Sequence, residues 1–136
     1  MHAVNGGTTG YSGGVAFYGA PYMIPAVPNV SPATPNRDSL AKITRPIMML
    51  SGTKDTRIGA AMPAIDSAMK ALGKDYWGKN YDGAVHGFLR TQDDAKTATP
   101  QCDEACVATE QADNLAATKD GWPRTIAFLK KNLGVK

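Results

Sequence analysis

Hydrophobic positions along this chain follow two rhythms, one of strands and one of helices. "GGVAFYG" is a short apolar run, partly of β-type residues, closed on both sides by glycine; it predicts a buried strand at residues 15–18. Residues 46–50, in "ITRPIMMLSGTKD", are apolar without alternation and stop at Ser51-Gly52, which suits a parallel strand covered on both faces. In "MPAIDSAMKALG" the rhythm changes. Met62, Ile65, Met69 and Leu72 recur at spacings of three and four and line one helical face. Pro63 is placed for the first turn, Asp66 and Lys70 are i,i+4 partners, and Gly73 is a C-terminal stop. "DYWGKNYDG" then predicts a third strand, weakened by Gly78.

Helical composition resumes near Ala105, and "WPRTIAFLKKNLG" predicts a terminal helix ended by Gly134. Trp122, Ile126, Leu129 and Leu133 are its expected buried stripe, and Pro123 should start a new helix or kink a longer one. Residues 20–36 hold five prolines and no helical period, so they read as a surface loop, and residues 91–104 are polar and irregular. There is no internal repeat. Strands alternating with helices predict an α/β fold with a parallel sheet in one domain. Three strands make a thin sheet, and an N-terminal portion of the fold is expected to be missing.

Composition narrows the function classes. A chain of 136 residues, 43% hydrophobic and 20% charged, is an ordinary globular domain with one core. Its net charge is +3 and its basic residues are scattered. The pair Lys130-Lys131 falls in a last helical turn, where cations suit the helix dipole. No basic stripe interleaved with aromatics argues for a nucleic-acid partner, and no apolar run approaches the ~20 residues of a membrane span. "MHAVNGGTTG" lacks the charged-then-apolar pattern of a secretion signal, so a cytoplasmic location is expected, although a longer parent protein is compatible with the periplasm. Cys102 and Cys106 have only His2 and His86 as further soft ligands in the chain, so neither a metal nor another cofactor is expected. A local disulfide and two free thiols both stay open.

Two residues carry candidate chemistry. In open α/β sheets, ligands bind outside the carboxyl ends of the strands. Asp55 lies five residues beyond Leu50, and His86, in "YDGAVHGF", lies just beyond the third strand. On adjacent strands, the carboxylate would accept a hydrogen bond from one imidazole nitrogen. That bond fixes the tautomer and stabilises the imidazolium formed when His86 takes a proton from a nucleophile. Asp before His is also the chain order of the α/β-hydrolases. The plainer readings are turn chemistry for the aspartate and an incidental loop histidine.

"VAFYG", "ITRPIMMLSGTKDTRI", "YDGAVHGF" and "WPRTIAFLKKNL", in this order and spacing, resemble the C-terminal half of the dienelactone hydrolase family, from Val15 to nearly the end of the chain. The resemblance implies a partial α/β-hydrolase fold with its N-terminal half missing. It also implies a Cys–His–Asp triad that cleaves enol-lactones and, in relatives, small esters. Asp55 and His86 match the triad acid and base. Arg90 matches an arginine that binds the substrate carboxylate in some members, against the plain reading of a solvated surface arginine. Tyr18 and Gly19 match a strand end that borders the pocket. The nucleophile elbow, Gly-x-Cys-x-Gly-Gly, is implied to lie upstream of Met1, with "MHAVNGG" as the tail of the helix that follows it.

"GYSGG", residues 10–14, satisfies Gly-x-Ser-x-Gly and makes Ser12 a substitute candidate. That motif needs a strand before the serine and a helix after it. Here nine residues precede Gly10 and Val15 begins a strand at once, so a flexible turn is the better account. The expected function is therefore nucleophilic acyl transfer on a small ester or lactone, with the Asp–His pair retained, the elbow absent, and weak or no activity from this chain alone. One alternative is an inactive half-domain that forms a homo-oligomer, most simply a dimer, or complements a partner fragment. Another is a small-anion binding module built on Arg90.

Overall fold

The computed structural model describes residues 11–19, 23–25, 28, 33–91 and 104–135. In chain order the elements are β1 (Gly14–Phe17), β2 (Met23–Ile24), β3 (Thr34–Pro35), α1 (Arg37–Ala41) and β4 (Ile47–Gly52). They are followed by α2 (Ile58–Ala71), β5 (Tyr76–Tyr81), α3 (Phe88–Thr91) and α4 (Glu104–Leu133). Three parallel strands form one sheet in the order β1-β4-β5, as the alternating pattern predicts.

β4 is the central strand and is buried at all six positions. Its side chains alternate between two cores, which explains an apolar run without polar interruptions. Ile47 and Met49 pack with Leu40, Met62, Ile65 and Met69 on the α1–α2 side. Met48 and Leu50 pack with Tyr81, Phe88 and Ala117 on the α3–α4 side. Gly78 is compatible with β5 because the Tyr76 ring folds over it: a Cβ there would meet the Tyr76 hydroxyl at 2.0 Å.

Three sequence expectations need correction. Pro63 is the sixth residue of α2 rather than part of its first turn. The helix starts earlier because one Asp55 carboxylate oxygen accepts the amides of Arg57 and Ile58, at 3.0 and 2.9 Å. Pro63 has no amide to give to the carbonyl four residues back, and Asn80 Nδ2 donates to that Gly59 carbonyl instead, at 2.9 Å. The helix therefore continues through the proline.

α4 is one continuous helix that passes through Pro123. It presents a different face from the one its apolar residues suggest. Ala117, Thr118, Gly121 and Thr125 are buried, whereas Trp122, Ile126, Leu129 and Leu133 are 45, 51, 40 and 61% exposed. Small residues let the helix backbone approach the sheet, and a Cβ on Gly121 would lie 3.5 Å from Tyr81 Oη. Asp120 holds the contact from the side, its Oδ2 accepting Lys79 Nζ at 2.8 Å and Tyr81 Oη at 2.9 Å.

Within the proline-rich stretch, β2 and β3 pair antiparallel, and α1 follows at once. Asn36 caps α1 by accepting the Ser39 amide at 3.0 Å, a signal the density of prolines obscured. Residues 1–10 and 92–103 lie outside the described residues, and with them the expected upstream helix tail, Cys102 and most of the irregular segment. The side chain of Cys106 lies outside them too. Among the described residues, no helix is long and apolar enough to cross a membrane.

Candidate active site

Parallel strands deliver the carboxyl ends of β4 and β5 to the same edge of the sheet, and the two loops beyond them are joined backbone to backbone. The Thr53 amide donates to Tyr81 O at 2.9 Å and the Lys54 amide to Ala84 O at 3.0 Å. Thr53 Oγ1 accepts the Gly83 amide at 2.9 Å and donates to Asp82 Oδ1 at 3.2 Å. Val85 is fixed in turn by its amide's bond to Asn114 Oδ1 on α4, at 3.1 Å. These bonds leave little freedom to the residues that follow, Asp55 and His86.

Asp55 is 5% exposed and divides its carboxylate between two tasks. Oδ1 holds the start of α2 through the Arg57 and Ile58 amides, and Oδ2 lies 2.5 Å from His86 Nδ1. Burial pushes this carboxyl up, but the Ile58 amide, the His86 hydrogen bond and the Arg57 amide outweigh it, so the group titrates below its ordinary value. An ionised carboxylate only accepts, so Nδ1 carries the bonding proton and Nε2 presents the lone pair. The His86 side chain is 55% exposed, and among the described residues Asp55 provides its one side-chain hydrogen bond.

Tyr18 stands at the end of β1 in the left-handed region, φ +52°, where a side chain costs about 1–2 kcal/mol. The conformation is held at several points. The Tyr18 amide donates to Leu50 O at 2.9 Å, and its hydroxyl accepts the Leu89 amide at 2.7 Å. Its ring stands edge-on to Phe88, with centroids 5.1 Å apart, and meets the His86 ring at 5.4 Å. Tyr18 thus borders His86; a place for Tyr18 beside a pocket was implied by the family resemblance alone.

A cleft of about 570 Å³ opens beside the pair, lined further by Lys54, Thr56, Arg57, Val85 and Glu110. That volume suits a small organic ligand. Sequence reasoning missed Lys54, Arg57 and Glu110. The one available signal for Glu110 was its spacing on α4 with Asn114, Ala117 and Gly121, a face that carries no apolar stripe.

Ser12 is not brought to the pair. Ser12 is exposed and precedes β1, so it lies at the amino end of the sheet, roughly 20 Å of extended chain from Tyr18. Arg90 falls in α3, four residues after His86, and its side chain lies outside the described residues. Among the described residues, no three His, Cys, Asp or Glu side chains gather as a metal site would require.

No curated protein matches this chain. A crystal structure from Klebsiella pneumoniae subsp. pneumoniae MGH 78578, named as a candidate dienelactone hydrolase, is similar at 23% identity with a TM-score of 0.49. The similarity covers 85% of this chain and 40% of that one, so this chain spans well under half the neighbour's length. The family comparison reaches further, because the model of the dienelactone hydrolase family matches residues 2–133, a span that takes in Asp55, His86 and the strands that deliver them. The chain belongs to the dienelactone hydrolase family.

Proposed function

We propose that this chain supplies the acid and base of a hydrolase that acts on small esters or lactones by nucleophilic acyl transfer. The observation that carries this reading is the Asp55–His86 hydrogen bond, set beyond adjacent parallel strands and open to a cleft. His86 Nε2 takes the proton of a thiol or hydroxyl as that group attacks the substrate carbonyl, and backbone N–H groups hold the oxyanion. The imidazolium then returns its proton to the leaving alkoxide. Water hydrolyses the acyl intermediate with His86 again as base. Asp55 keeps the imidazole in the productive tautomer throughout.

The nucleophile in this reading comes from outside the described residues. Purified chain alone is expected to hydrolyse p-nitrophenyl acetate weakly or not at all, with any residual rate lost in His86→Ala. Robust turnover by the chain alone would place the nucleophile within these 136 residues, and Ser12→Ala would then show whether the serine supplies it.

A second reading, self-association, is favoured by the exposed stripe Trp122, Ile126, Leu129 and Leu133 on α4. It is reinforced by β1, which among the described residues pairs only with β4 and leaves its other edge open. Sedimentation at micromolar concentration is expected to give a species of twice the chain mass. A well-behaved monomer would count against this reading. The anion-binding alternative turns on Arg90, whose side chain lies outside the described residues.

A further inference from the structure

Glu110 is the feature of the cleft that the acyl-transfer scheme does not use. It is 5% exposed, and among the described residues its one partner is Lys54 Nζ, 3.4 Å from Oε1. Its other oxygen, Oε2, is buried and accepts no hydrogen bond from any described residue. A buried carboxylate oxygen without a donor is costly, and native structures leave few such groups unexplained. Its place is specific as well, since Glu110, on α4, lines the same cleft as Asp55 and His86. Lys54 covers it loosely, because its side chain is 41% exposed and the ion pair is long.

We infer that Glu110 is a substrate-recognition residue whose Oε2 accepts a hydrogen bond from a hydroxyl group on the ligand. The substrate class becomes a hydroxyl-bearing ester or lactone in place of a plain alkyl one. This assignment rests on the acyl-transfer reading of the cleft. Binding energy for a donor comes from satisfying an oxygen that is already desolvated, so its loss is felt in full when the donor is absent.

The test is a titration of the purified chain with 4-hydroxybutyl acetate and with butyl acetate, followed by NMR of the His86 ring protons. 4-Hydroxybutyl acetate is expected to bind about tenfold more tightly than butyl acetate, the gain of one hydrogen bond to a charged acceptor. In Glu110→Ala that preference disappears. Glu110→Gln keeps an acceptor oxygen at the same place and the same shape, and it retains part of the preference. Equal binding of the two esters by wild type, or a preference that survives Glu110→Ala, overturns the role of Glu110 and leaves the hydrolase reading intact. If neither ester moves the His86 signals, the substrate cleft itself is wrong, and the inference falls with it.

Discussion

Asp55→Asn is expected to lower p-nitrophenyl acetate turnover by about 10⁴-fold in any preparation of the protein that hydrolyses this ester. Asparagine is nearly isosteric and its carbonyl oxygen can still accept the Arg57 and Ile58 amides, so the start of α2 is preserved. What changes is the side facing His86. An amide NH₂ now points at Nδ1, which must turn acceptor, and the imidazole proton moves to Nε2. The base then has no lone pair to offer the nucleophile. A second measurement needs no turnover at all. Ring ¹⁵N shifts of neutral His86 should report the Nδ1–H tautomer in wild type and the Nε2–H tautomer in Asp55→Asn. An unchanged tautomer would remove the physical basis of the catalytic assignment.

The same aspartate gives the fold an acid limit. Because its carboxyl titrates below the ordinary value, the folded state holds the proton less tightly than the unfolded state does. Its stabilising contribution is complete above the unfolded-state value, about 3.9, and is lost as pH falls through the folded-state value. Wild type should therefore lose more thermal stability than Asp55→Asn when the pH is taken from 5 to 3.

Gly52→Ala is expected to destabilise the protein by about 3 kcal/mol or more, lowering Tm by about 10 °C. Gly52 ends β4 where three backbone segments meet. A Cβ on it would lie 2.1 Å from the Ala84 carbonyl oxygen, in the loop that carries His86. One on Gly59, in the first turn of α2, would lie 2.0 Å from the Gly52 carbonyl oxygen. Neither neighbour is a flexible side-chain end, so relief requires moving the Asp55 or the His86 loop. Gly73→Ala makes the control. Gly73 has φ +61°, and a methyl added there would meet no described atom within 4 Å, so the change should cost only the left-handed penalty of about 1–2 kcal/mol. Urea unfolding of both variants compares the two costs directly. Equal losses would mean that close backbone packing does not hold the two loops together.

How far the sequence could go is clear from particular residues. β4 was legible because residues buried on both faces of a sheet must be apolar throughout, and local composition reports that directly. The C-terminal stripe misled for the same reason. Trp122, Ile126, Leu129 and Leu133 have helical spacing, yet burial on α4 went to Ala117, Gly121 and Thr125, because close approach to Tyr81 and Leu50 selects small side chains. Local pattern reports which residues prefer to leave water, not which face a neighbour leaves room for.

The candidate site divides along the same line. By itself, the sequence determined the order Asp55 then His86, each placed beyond a strand, and the family to which that spacing belongs. Both are encoded in contiguous residues. Only the tertiary structure decided that the two side chains meet, through the pairing of β4 with β5 and the amides of Thr53 and Lys54 bonded to the opposite loop. It also decided that Ser12 sits at the wrong end of the sheet and that Glu110, 24 positions after His86, shares its cleft. Contacts between segments so far apart in the chain arise from helix and sheet packing, which no local window of residues contains.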